Sequence, residues 1–202
     1  MKSEAKKRRK LIVCITGMPG AGKSTIAESL RKKGFYVIAM GDIIREEARQ
    51  QNLDPNDINL GKLMLKLRND LGPGAVAHLI VRKINREDID TAEKDNVVID
   101  GIRGIAEVEV LKRFGCVKLL AIHASTNKRF THLKQRARSD DPFVMEEFAG
   151  RDKRELSVGI SEAIALADET LSNNELTVDQ LNEKAYEIIR KWIDSSGSTC
   201  KW

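Results

Sequence analysis

Apolar positions along the chain change period several times, and each change marks an element. Residues 11–16 (LIVCIT) form an unbroken apolar run ending at a glycine, which predicts a strand covered on both faces. Residues 35–40 (FYVIAM), 97–100 (VVID) and 117–123 (VKLLAIH) predict three more strands, and 168–172 (DETLS) a weaker fifth. Between them the period shifts to three or four residues. Ile26 and Leu30 mark a helix over Ser24–Lys33. Ile105, Val108 and Leu111 mark another, and Leu156, Ile160, Ala163 and Ala167 a third. Val178, Leu181, Ala185, Ile188 and Trp192 predict a C-terminal amphipathic helix. Strands alternating with helices predict an α/β fold with a mainly parallel sheet.

The interval from Gly41 to Asn96 breaks that rhythm. It holds no strand pattern, yet a simple crossover needs only one helix. The apolar spacing predicts three helices, over about 42–51, 59–71 and 75–86, with Leu71-Gly72-Pro73-Gly74 separating the last two. A small helical insert beside the sheet, 42–95, accounts for this.

Composition narrows the class. At 202 residues, with 41% hydrophobic and 32% charged residues, the chain is expected to form one globular domain over 11–194, with a frayed end over 195–202. No apolar run approaches a membrane span, and the start has no apolar region of the signal-peptide kind, so membrane and secreted classes are set aside. The three cysteines (Cys14, Cys116, Cys200) lack metal-ligand spacing, which fits a reducing, cytoplasmic setting without a disulfide scaffold. The formal net charge of +5 resides in residues 1–10, where Lys2, Lys6, Lys7, Arg8, Arg9 and Lys10 face only Glu4, and the remainder is formally neutral. This basic, disordered tail reads as a solvated arm or as a weak RNA- or phosphate-tethering arm. The low aromatic content, 4%, marks no exposed anchor for a partner, and a monomer is the default.

The sharpest signal is Gly17-Met18-Pro19-Gly20-Ala21-Gly22-Lys23-Ser24, followed by Thr25, between the first strand and the first helix. It satisfies the G-x-x-x-x-G-K-[ST] pattern. Gly20 and Gly22 let backbone N–H groups curl around phosphate oxygens, and the helix start adds unpaired donors. Lys23 supplies a cation to the β- and γ-phosphates, and Ser24 a hydroxyl to Mg²⁺. The chain therefore reads as a nucleoside triphosphate binder.

Three further clusters bear on what the triphosphate is for. Gly41-Asp42 with Arg45 closes the second strand, where an arginine fork can hold a phosphate; Asp42 as an ordinary helix cap is the plainer alternative. Asp100-Gly101-Ile102-Arg103 closes the third strand. Asp100 can hold a Mg²⁺-bound water beside Ser24, Gly101 allows close passage of the chain, and Arg103 can reach a second phosphate. In the region 126–154, Arg129, His132 and Arg136 share a helical stripe, with Phe130, Leu133 and Ala137 on an apolar stripe beside it. The break Arg138-Ser139-Asp140-Asp141-Pro142 and a helix carrying Arg151 and Arg154 follow. Arginines around a loop suit phosphoryl transfer, although a solvated basic face has the same pattern. His132 reads as a bystander, because a phosphate nucleophile has no proton to lose.

These motifs together resemble the adenylate-kinase-related P-loop nucleoside monophosphate kinases, from about residue 11 to residue 194. Gly41-Asp42-x-x-Arg45, Asp100-Gly101-Ile102-Arg103, Arg138-Ser139-Asp140-Asp141 and Arg151 resemble that group's acceptor and lid motifs. Ala167-Asp168 and Ser172-Asn173-Asn174 resemble its last strand and the loop near adenine. The resemblance implies a three-layer P-loop kinase fold with a five-stranded parallel sheet of order 2-3-1-4-5. It also implies a monophosphate-binding insert and a short lid, both closing over the nucleotides. It implies ATP and Mg²⁺ as cofactors and a small nucleotide as acceptor. Lys23, Arg129 and Arg136 would serve the triphosphate and the transferred group, and Asn173 the nucleotide. Gly41, Asp42, Arg45, Gly101, Arg103, Arg138 and Arg151 would hold the acceptor and the transition state. The sequence departs from the group at Ile102, which no proline follows, and in a lid of a few residues without cysteines for zinc. This wording resembles a short-lid branch of the group. Two rival readings stand beside the kinase: a regulatory or assembly ATPase working through an RNA or protein partner, and a kinase of another small acceptor such as dephospho-coenzyme A.

Overall fold

All six residues of β1 (Leu11–Thr16) are buried, because the strand lies in the middle of the sheet with helices on both faces. In this computed structural model, which describes residues 11–86, 96–138 and 141–199, five strands are paired in the order β2-β3-β1-β4-β5. The partners are β2 (Tyr36–Ala39), β3 (Asn96–Ile102), β4 (Cys116–His123) and β5 (Glu169–Ser172). Every pairing is parallel. The architecture has three layers, and strand number and order are those implied by the resemblance.

Alternate residues of a strand face opposite sides, and β1 divides accordingly. Leu11, Val13 and Ile15 join one core with α1 (Lys23–Lys32) and α9 (Val178–Thr199), through Ile26, Leu30, Leu181, Ala185 and Ile189. Ile12 and Cys14 join the other. There the sheet packs against α2 (Met40–Gln50), α4 (Ala75–Arg86), α5 (Ile105–Lys112) and α8 (Ile160–Ala165). The remaining helices are α3 (Asp57–Leu71), α6 (Thr126–Arg136) and α7 (Met145–Ser157).

The stretch after β2 does hold three helices, but they are not an appendage. Val76, Ala77 and Ile80 of α4 are each 0% exposed and belong to the same core as β1 and β3. α3 lies outermost and is tied inward by Arg68, whose Nη2 donates to Glu107 Oε1 at 2.5 Å.

Several boundaries correct the sequence reading. The helix predicted through Leu156, Ile160, Ala163 and Ala167 is two helices, separated at Gly159, which adopts φ +95°. Leu156 is consequently 51% exposed. α6 stops at Arg136 and turns through Ala137 at φ +46°, so Ala137 leaves the apolar stripe it was placed on. In α9 the fully buried position is Ile189 rather than Ile188, and the helix runs on to Thr199, beyond the expected fraying point. The basic tail 1–10 and the expected loop residues Ser139 and Asp140 lie outside the described residues. Cys14 is a buried free thiol and Cys116 is buried at the start of β4, while Cys200 lies outside the described residues. Among the described residues no helix is long and apolar enough to cross a membrane.

Candidate functional site

The carboxyl ends of β1, β2 and β3 open into a cavity of about 620 Å³, within the usual size range of ligand pockets. Gly17, Pro19, Gly20, Gly22, Lys23, Ser24 and Thr25 form one side of it.

The loop's shape is set by contacts behind it. Gly17 has φ +140°, and a Cβ there would lie 2.2 Å from the Ile122 carbonyl oxygen. Gly20 has φ +81°, and its Cβ would meet the Arg129 backbone oxygen at 2.4 Å. Glycine is thus required here by neighbouring protein backbone as well as by left-handed geometry, an addition to the reading based on ligand approach. The carbonyls are held from the same side. Arg129 Nη1 donates to Pro19 O at 3.1 Å, His132 Nδ1 lies 2.9 Å from Gly20 O, and Asn173 Nδ2 donates to Ala21 O at 2.9 Å. The N–H groups of Gly22, Lys23 and Ser24 have no protein partner among the described residues. Carbonyls fixed outward and amides left inward make an anion cradle at the start of α1.

Lys23 Nζ donates to Gly17 O at 2.6 Å and Met18 O at 3.1 Å. Burial pulls its pKa down to about 8, against the opposing attraction of Asp100 and Glu155. A polyphosphate in the cradle would supply the counter-charge this ammonium lacks.

At the end of β3 the register with β1 slips between Ile15 and Thr16, so that Thr16 pairs with Ile102 and Gly101 is the extra residue, at φ +97°. Thr16 Oγ1 fixes the bulge by donating to Ile102 O at 2.8 Å. Such a bulge re-aims the neighbouring side chain. Here that side chain is Asp100, in the cavity wall and 7% exposed, whose Oδ1 has no hydrogen-bond partner among the described residues. Burial raises its pKa, only partly opposed by Lys23, Arg103 and Arg138. A buried carboxylate oxygen without a donor, in the same cavity as the Ser24 hydroxyl, fits a Mg²⁺ ion and its water shell.

The far side of the cavity gathers the predicted acceptor residues: Gly41, Asp42, Arg45, Gly101, Arg103, Arg138 and Arg151 all line it, and Arg136 with them. Carboxylates hold most of these arginines. Arg45 Nη1 pairs with Asp42 Oδ1 at 2.6 Å, and Arg103 Nε with Glu155 Oε2 at 2.7 Å. Asp141 takes Arg136 through both oxygens, accepts from Arg151 Nη1 at 3.3 Å and from the Arg138 backbone N–H at 3.0 Å. Burial pushes the Asp141 carboxyl upward, but these donors outweigh it and leave the pKa below the ordinary value. Arg154, on the same helix as Arg151, pairs with Asp57 at the start of α3, and its guanidinium lies against Gly61.

Arg129 departs from its predicted place. Its guanidinium is paired through two bonds to Asp152, at 2.8 and 2.6 Å, and lies over the Phe148 ring at 4.8 Å. With its third contact on Pro19 O, it sits behind the loop and outside the cavity lining. His132, read as a bystander, instead touches the loop directly. The residues that sequence reasoning missed are the acids Glu155, Asp152, Glu107 and Asp57. None carries a local motif; each meets its arginine across 23 to 97 residues.

Residues 16–148 match the family described as AAA domain. Two archaeal proteins align over nearly their whole length. The UPF0200 protein of Pyrococcus horikoshii is 41% identical over 188 residues, covering 92% of this chain and 99% of that one. The UPF0200 protein of Pyrococcus furiosus is 42% identical over 188 residues, covering 91% and 98%. Among solved structures, TT1252 from Thermus thermophilus superposes with a TM-score of 0.64 at 19% identity, covering 91% of this chain and 98% of that chain. Shikimate kinase from Acinetobacter baumannii, in complex with shikimate, superposes with a TM-score of 0.55 at 16% identity, covering 94% and 98%. At such identities the structural likeness shows the fold.

Proposed function

The chain belongs to the UPF0200 family, with a P-loop kinase-like fold, and from that premise we propose that it is an ATP- and Mg²⁺-dependent kinase whose acceptor is a nucleoside monophosphate or a similar small phosphorylated molecule. The observation that supports this reading is that one cavity is lined by two separate sets of groups suited to holding phosphate. The braced loop with Lys23 forms one, and Arg45, Arg103, Arg138 and Arg151 form the other. A nucleotide switch needs only the first. The lining holds seven Lys or Arg side chains against four Asp or Glu, a balance that draws anions in.

In the proposed reaction the loop amides and Lys23 bind the β- and γ-phosphates, and the ammonium leaves the Gly17 and Met18 carbonyls to do so. Ser24 and Asp100 would hold Mg²⁺, which when bound neutralises charge on the phosphate oxygens. Arg45 and Arg103 hold the acceptor's phosphate so that one of its oxygens lies in line with the γ-phosphorus. That oxygen forms the new bond to phosphorus as the bond to the β-phosphate oxygen breaks, and ADP leaves with the electron pair. The attacking oxygen is already anionic, so no base is required. Arg136, Arg138 and Arg151 neutralise the equatorial oxygens.

A second reading rests on Asp42. Its side chain is 68% exposed, at the carboxyl end of β2 in the cavity wall. A carboxylate there could take the proton of a hydroxyl acceptor, as a kinase of dephospho-coenzyme A would need. The test measures ADP formed from Mg-ATP with each common nucleoside monophosphate added singly, with dephospho-coenzyme A, and with no acceptor. Stimulation by one or two monophosphates supports the first reading, and stimulation by dephospho-coenzyme A alone the second. A slow rate that no acceptor changes refutes both and favours a regulatory ATPase.

A further inference from the structure

Glu155 presents a problem of electrostatics. It is a carboxylate 7% exposed in the wall of a cavity that otherwise favours anions, so it opposes the ligands this cavity takes. It is also charged: burial would raise its pKa, yet Arg103, Arg151 and Lys23 bring it below the ordinary value. Such a group is tolerated where it fixes something the site needs.

What it fixes is Arg103. The hydrogen bond from Nε to Glu155 Oε2, 2.7 Å, is the one hydrogen bond of that guanidinium to the protein among the described residues. Among the described residues the terminal amino groups have no hydrogen-bond partner, and neither is fully buried. Arg103 is held at its other end too, where its backbone N–H donates to Glu107 Oε2 at 2.7 Å. Glu107 is 0% exposed and anchored in turn by Arg68. A guanidinium held side-on keeps the edge formed by its two amino groups for a two-pronged grip on a phosphate. An arginine otherwise loses much of its rotamer freedom on being ordered. A partner that orders it beforehand removes part of that loss from the binding step.

We propose that Glu155 is the positioning residue of the acceptor-phosphate site, aiming the Arg103 fork into the cavity. This rests on the proposed reading of Arg103 as an acceptor-phosphate ligand. Glu155 comes from α7, one turn after Arg151, whereas Arg103 follows β3. The fork's aim therefore depends on where α7 lies.

The experiment uses the full chain with its phosphate loop saturated by Mg²⁺ and a non-hydrolysable ATP analogue, and inorganic phosphate as probe. Phosphate affinity is measured by titration for the wild type, Glu155→Gln, Arg103→Ala and the double variant. Glu155→Gln is expected to weaken phosphate about tenfold, Arg103→Ala at least as much, and the double variant no more than Arg103→Ala alone. Glu155→Asp, which keeps the charge but withdraws it by one methylene, is expected to fall in between, and it replaces the Gln variant should that one not fold. If Arg103→Ala weakens phosphate while both Glu155 variants bind like wild type, the positioning role is refuted and the acceptor site stands. Losses that add in the double variant also refute it, because Glu155 would then act independently of Arg103. If phosphate binding does not depend on Arg103 at all, the acceptor site fails, and the role of Glu155 with it.

Discussion

Replacing Arg129 by methionine separates two roles for that arginine, a brace behind the phosphate loop and a catalytic cation. Its side chain is 6% exposed and that of Asp152 17%, so the change leaves a largely buried carboxylate without its cation. Breaking one partner of a buried pair costs about 3–5 kcal/mol, and the partial hydration of Asp152 favours the lower part of that range. Pro19 O also loses its donor, which adds about 1 kcal/mol. A total near 4 kcal/mol lowers the midpoint of thermal unfolding by about 8–16 °C in a chain of this length. Adding Asp152→Leu removes the stranded charge and should restore at least half of the loss. The assay is thermal unfolding of both variants, with ADP production measured well below their midpoints. There, activity should fall in step with ATP affinity, because a loosened loop binds phosphate less well. A hundredfold loss of turnover at saturating ATP with an unchanged unfolding midpoint would refute the brace and return Arg129 to the transferred phosphate.

Three further outcomes are expected. The folded pKa of Lys23, about 8, lies below its unfolded value of 10.5, so the ligand-free protein gains stability as pH rises through that window. Triphosphate binding should restore the proton, with uptake close to one per site at about pH 9 and roughly a tenth at pH 7, measured by calorimetry in buffers of different ionisation enthalpy; no uptake at the higher pH would contradict the assignment. Asp100→Asn should raise thermal stability by about 1 kcal/mol, because it neutralises a buried oxygen that has no donor, while raising the Mg²⁺ needed for half-maximal rate about tenfold; an unaltered Mg²⁺ titration would remove Asp100 from the metal site. Gly72→Ala, at φ +87° and ψ 170° where glycine alone is at ease, should cost about 1–3 kcal/mol of stability but leave ATP binding intact, whereas Gly17→Ala should abolish ATP binding, the contrast being read by thermal unfolding and nucleotide titration.

The phosphate loop and the individual strands were legible because both are local, whereas the strand order came from the family resemblance. A glycine pattern between an apolar run and a helix needs no distant information, and a strand buried on both faces shows itself as an unbroken run. The stripe Arg129, His132, Arg136 does lie along α6, but only Arg129 and His132 touch the loop, while Arg136 lines the cavity and pairs with Asp141. Spacing could not reveal that Asp152 would take Arg129 out of the cavity and Asp141 would hold Arg136 at its edge. That depends on how α7 lies against α6, which no periodicity along α6 encodes. The split between α7 and α8 was missed for a different reason. The apolar spacing continues through the break, and only the left-handed turn at Gly159 ends the helix.

The burial of α4 bears on kinetic order. Val76, Ala77 and Ile80 are locked into the core beneath β1 and β3, and Arg68 and Glu107 clamp the neighbouring helix to the same body. In the proposed kinase the floor that carries Arg45 and Arg103 would therefore be assembled before either ligand arrives, and ATP would not have to build it. On that side nothing would compel ATP to bind first, and a random order of addition is the expected scheme for the proposed kinase. Any ordering would have to come from the opposite wall, where Arg136, Arg138 and Arg151 line the same cavity.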